Sequence, residues 1–201
     1  MVSVGGFLFA CDPKLATTAA PVIWRPELVP HCVILAPAPA SFEDAHRLVS
    51  PDLAGHLIVY DGRDGRHVVL QDLQGAHQLW LRNVQAGAGM AAIIPLDENV
   101  LLRVAGLLRL QRRLTGKSPG PVPRGWDLTA RLRRRLILMV RALDGHQAQA
   151  SYREIALALY GPAAVARYPW KTSSIRGQTI RLVNDAVVTM EGGYRKLLRG
   201  R

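Results

Sequence analysis

Gln178 and Arg181 stand three residues apart in a stretch whose apolar residues recur at helical spacing. Both side-chain types can form paired hydrogen bonds with a base edge in a DNA major groove. Just upstream, Lys171, Thr172, Ser173, Ser174 and Arg176 gather hydroxyls and cations where such a helix would begin, a composition suited to holding phosphates. Projected at about 100° per residue, Gly177, Gln178, Arg181, Asn184 and Asp185 fall opposite the apolar stripe Ile175, Leu182, Val183, Ala186, Val187 and Met190. This is the pattern of a reading helix. Arg133 and Arg134, on a preceding helical segment, are placed for phosphate contacts rather than bases.

An ordinary amphipathic helix has the same periodicity, so charge must separate the two readings. Residues 1–100 carry 6 Lys/Arg against 10 Asp/Glu, whereas residues 101–201 carry 20 against 5, within a total of +11. Residues 128–201 alone carry 14 basic and 4 acidic side chains. A concentrated positive field attracts phosphate polymers and releases their counterions, so double-stranded DNA is the expected partner. Basic amphipathic helices also bind anionic lipid, but these helices are short, capped and separated, as in a packed domain. With no run of eighteen apolar residues and no secretory leader, the sequence predicts a cytoplasmic protein without a membrane partner. Cys11 and Cys32 are too few for a disulfide framework or a four-ligand zinc site and read as free thiols.

Several strings imitate catalytic motifs and fail on context. Gly116-Lys117-Ser118-Pro119-Gly120 matches G-x-S-x-G, yet a nucleophile elbow needs a strand before the serine and a helix after it. Gln111 occupies the place of the first glycine that a phosphate loop ending in Gly116-Lys117-Ser118 requires. Gly87-Ala88-Gly89-Met90-Ala91-Ala92 resembles a dinucleotide fingerprint, but Pro95 stops any helix behind it, and a glycine-rich loop is expected. The six histidines show no paired-ligand spacing. The expectation is a protein without catalytic residues, metal or cofactor.

These residues need elements to hold them. Short β-prone runs cover Val2 to Ala10, Pro21 to Trp24, His31 to Leu35, His56 to Tyr60, His67 to Gln71 and Gln78 to Val84, with Asp61-Gly62-Arg63-Asp64-Gly65 as a hairpin turn. From Asp97, a candidate N-cap, the period becomes helical, and Arg103, Arg109, Arg112 and Arg113 add positive charge. Residues 115–127, rich in proline and glycine, form a linker. Beyond it Thr129 caps a helix with apolar face Leu132, Leu136, Met139, Val140 and Leu143, stopping at Asp144-Gly145. Ser151-x-x-Glu154 opens a second, which stops at Gly161-Pro162, and Thr172-Ser173-Ser174 opens a third, which ends at Gly192-Gly193. The fold expected is α+β: a β-rich module ending in an amphipathic helix (1–114), the linker (115–127) and a helix-turn-helix-like domain (128–201).

The runs Arg134 to Gly145, Ala150 to Ala156, Trp170 to Arg176, Ile180 to Val183 and Gly192 to Leu198 closely resemble a bacterial family long catalogued as a domain of unknown function, found in activators and antiactivators of integrative and conjugative elements. Phe7 to Ala10, Pro21 to Pro26 and Ile94 to Asp97 are similar to its upstream region. The resemblance implies an extended-turn helix-turn-helix, with Gly161 to Thr172 as the long link, and a regulator of excision or conjugative transfer. Its alternative is an antiactivator that binds an activator's partner domain without DNA. The family's activators carry a further N-terminal helical domain. No long helical segment precedes Asp97, so a separate protein carrying that domain is an expected partner.

Overall fold

The structure, a computed structural model, describes residues 22–123, 126 and 128–200. The expected strand at Val2 to Ala10, the upstream match at Phe7 to Ala10 and Cys11 lie outside these residues. The architecture is α+β, with five strands followed by helices. Among the described residues, 22–126 form one compact unit and 128–200 another.

The first unit is built on β1 (Val33–Pro37), β2 (His56–Gly62), β3 (Gly65–Leu70), β4 (His77–Leu81) and β5 (Met90–Ile93), in the spatial order β2-β3-β4-β1-β5. Only β1 and β4 run parallel. The predicted hairpin joins β2 to β3: Gly62 pairs with Gly65, and a Cβ at Gly65 would lie 2.3 Å from the Leu81 carbonyl oxygen, so that position must be glycine. Consecutive buried residues in β1, β3 and β4 show that both sheet faces are covered. Val33, Leu35, Val68, Leu70, Leu79 and Leu81 form one core with Leu48 and Leu110.

Three expectations are corrected here. Around Trp24 there is a single bridge and a turn rather than a strand. The glycine-rich loop stops at Gly89, and the residues after it form β5, antiparallel to β1. Met90-Ala91-Ala92-Ile93 has little β-branching, so only pairing with β1 makes it a strand. Helix α1 (Val100–Leu114) is preceded by Asn99 at the N-cap, not Asp97. Asp97 instead accepts from the Asn99 amide at 2.9 Å and from Arg103 Nη2 at 2.7 Å.

The α1 arginines are largely internal fastenings. Arg103 and Arg109 are buried. Arg109 donates to the carbonyls of Gln74 (3.0 Å) and Gly120 (3.2 Å), and Arg113 to Asp72 (2.8 Å) and the Ala54 carbonyl (2.6 Å). The described part of the proline-rich stretch, 115–123 and 126, has neither helix nor strand. Ser118, the serine of the G-x-S-x-G string, donates to Gln74 Oε1.

The second unit packs α2 (Ala130–Gln147), α3 (Tyr152–Tyr160) and α5 (Ser174–Val188) around Met139, Ala142, Ile155, Leu182, Val183 and Ala186. Thr129 accepts from the Leu132 amide, and Ser151 and Glu154 form the full capping box. The predicted stop at Asp144-Gly145 is overrun. Gly145 lies inside α2, where a Cβ would come within 2.9 Å of Ile155 Cγ1, and Gln149, at φ 60°, turns the chain after the helix. Between α3 and α5 lie α4 (Pro162–Ala166) and one 3₁₀ turn at Trp170–Thr172. Past Val188 the chain makes a π-helical turn through Thr189–Gly193 before α6 (Tyr194–Leu198), so Gly192-Gly193 marks a kink and not the end. Val140 and Met190, read as core, are exposed, whereas Thr179 is fully buried with its hydroxyl donating to the Ile175 carbonyl at 2.8 Å. Among the described residues no helix is long and apolar enough to cross a membrane.

Candidate nucleic-acid interface

Helix α5 is capped by Ser173, whose hydroxyl accepts from the Ile175 amide at 3.2 Å and which is only 7% exposed. Its side chain closes the helix end and is not presented to a ligand. Thr172 is exposed, but its hydroxyl donates to the Pro169 carbonyl. Lys171, Ser174 and Arg176 are exposed around this helix entrance.

One side of α5 buries Thr179, Leu182, Val183 and Ala186. The opposite side exposes Ser174, Gln178, Arg181, Asn184 and Asp185, with half-buried Gly177 between them. Helical projection puts Arg176 outside this face, on the far flank of the apolar stripe.

Across from Gln178 and Arg181, helix α2 presents Arg131, Arg134 and Arg135, all exposed. The two helices wall a groove of about 610 Å³, with Leu138 and Leu182 in its lining and Tyr160 of α3 beside them. Four arginines therefore meet one carboxylate, Asp185, which is bonded to Arg135 Nη2. The groove keeps a positive excess. Burial pushes the Tyr160 phenol above its ordinary range despite the pull of Arg135, so the hydroxyl is uncharged at neutral pH and can both donate and accept.

The nine residues singled out from sequence thus divide. Arg134, Gln178 and Arg181 come together in the groove; Lys171, Thr172, Ser174 and Arg176 cluster at the α5 entrance; Ser173 is a cap; and Arg133 is exposed on α2 but does not line the groove. Arg131, Arg135 and Tyr160 were missed. The arginines had a signal, since Arg131, Arg134, Arg135 and Leu138 follow the spacing of a single helix face. Tyr160 had none, because it joins the groove only through packing. Among the described residues no cluster of His, Cys, Asp and Glu is able to hold a metal.

A family model described as "T6SS, Transcription factor, DNA binding domain" matches residues 93–199, more than half of the chain. A second, described as a domain of unknown function (DUF7012), matches residues 31–92. None of the curated proteins matches the chain.

Proposed function

We propose, from the premise that this chain belongs to the family described as "T6SS, Transcription factor, DNA binding domain", that α5 is the element through which this DNA-binding transcription regulator reads its operator. The observation carrying the proposal is the groove in which Arg131, Arg134 and Arg135 of α2 face Gln178 and Arg181 of α5. In a major groove, Gln178 and Arg181 can form paired hydrogen bonds with base edges, and the exposed α2 arginines and Lys171 are assigned to the flanking phosphates. The role assigned is binding, with no catalytic step.

The regulated genes are proposed to be those for excision or conjugative transfer of a mobile element, on the resemblance carried by Arg134 to Gly145 and Trp170 to Arg176. The T6SS of the family description supplies the competing set of targets. A separate protein bearing a helical domain is proposed as co-regulator on the same resemblance, with the described segment 33–93 ahead of α1 carrying a sheet.

The test is capture of sheared genomic DNA by the full chain, followed by titration of the recovered duplex against salt. If about six phosphates are contacted, affinity falls roughly 10³-fold between about 50 and 200 mM salt. A flat response contradicts the proposal.

A further inference from the structure

Glycine weakens a helix interior relative to alanine, because the unfolded chain has more freedom to lose. A glycine retained there therefore needs a reason. The α-helices of the described residues contain three, at positions 106, 145 and 177. Two have a reason inside the fold. A Cβ at Gly106 would sit 2.9 Å from the His31 carbonyl oxygen, and one at Gly145 the same distance from Ile155 Cγ1. At Gly177 a Cβ would meet nothing within 4 Å, and the backbone there does not adopt the positive φ that favours glycine. Neither packing nor conformation within the unit calls for it.

Its surroundings supply a reason from outside. Gly177 lies on the side of α5 away from buried Thr179, Val183 and Ala186, among exposed Ser174, Gln178 and Arg181. Those neighbours stand three residues before, one after and four after it, which makes Gly177 the floor between the side chains assigned to bases and the helix entrance.

We propose that Gly177 is a contact position, where the wall of the DNA groove lies against the α5 backbone more closely than a methyl group allows. This rests on the reading of α5 as the element that enters DNA. The bare backbone lets the helix seat deeply enough for Gln178 and Arg181 to reach base edges, and an added Cβ lifts it away.

The experiment uses the full chain and a duplex selected by the unsubstituted protein from a random-sequence pool. Gly177→Ala is expected to keep or raise Tm, since alanine favours the helix, while affinity for the selected duplex falls about tenfold or more. Arg181→Ala is measured beside it. If Gly177→Ala binds as tightly as the unsubstituted protein while Arg181→Ala loses the selected duplex, the close approach is overturned and the reading of α5 stands. A lower Tm for Gly177→Ala overturns the proposal as well, because the glycine then serves the fold. If the unsubstituted protein selects no duplex, the reading of α5 fails and takes the proposal with it.

Discussion

His31 lies against Trp126, with ring centroids 4.5 Å apart and the ring planes tilted by 36°. Burial, then the charges of Arg109 and His77, hold its pKa down at about 4. His67 and His77 are also pushed down, burial being the first cause in both. Three imidazoles in the first unit are therefore kept neutral when folded and titrate near 6.5 when unfolded. Below that pH the unfolded chain binds protons that the folded chain refuses, so stability is full above about pH 6.5 and falls as pH drops towards 4. His31 alone accounts for on the order of 3 kcal/mol across that window. Burial pushes the Asp72 carboxyl up, but the bond to Arg113 and its charge, the Leu73 amide and His77 together hold it low; Asp97 is held low first by its bond to Arg103; both contributions are lost only at lower pH, as these carboxylates protonate. Urea midpoints between pH 7 and 4.5 should fall for the unsubstituted protein and fall less for His31→Gln. Equal slopes would show that His31 is not refusing the proton.

Among the elements, those governed by local rules were legible in the sequence. The Gly62–Gly65 hairpin, the Thr129 cap and the Ser151–Glu154 box depend on residues within a turn of each other and were found where expected. Elements created by distant partners were not. β5 exists by pairing with β1, and Gly145 is tolerated within α2 because Ile155 packs there. The arginines of α1 and α2 look alike in sequence, yet Arg103 and Arg109 are buried in the first unit while Arg131, Arg134 and Arg135 face solvent. In the candidate site the polar face of α5 was legible from periodicity, whereas the groove beside it needed the packing of α2 against α5. Since α2, α3 and α5 close a core of their own with their own caps, a fragment of residues 128–201 should show helical circular dichroism and a cooperative thermal transition. A random-coil spectrum would mean that this core depends on the preceding residues.

Across the whole chain, charge and chemistry are divided unequally. The first hundred residues are net acidic, and much of the positive charge of α1 is used in internal bonds. Residues 128–201, with 14 basic side chains against 4 acidic, hold the exposed α2 arginines and the polar face of α5. Phosphate contacts set affinity for any duplex and base contacts set preference among duplexes, so the two classes of residue separate in measurement. The most direct test compares full-chain affinities of Arg181→Ala and Arg134→Ala for the selected duplex and for random duplexes. Arg181→Ala should lose about 1–3 kcal/mol on the selected duplex with random binding nearly intact; Arg134→Ala should weaken both alike and lower the salt slope by about one. If Arg181→Ala instead weakened both duplexes by the same factor, or changed neither, α5 would not be the reading element.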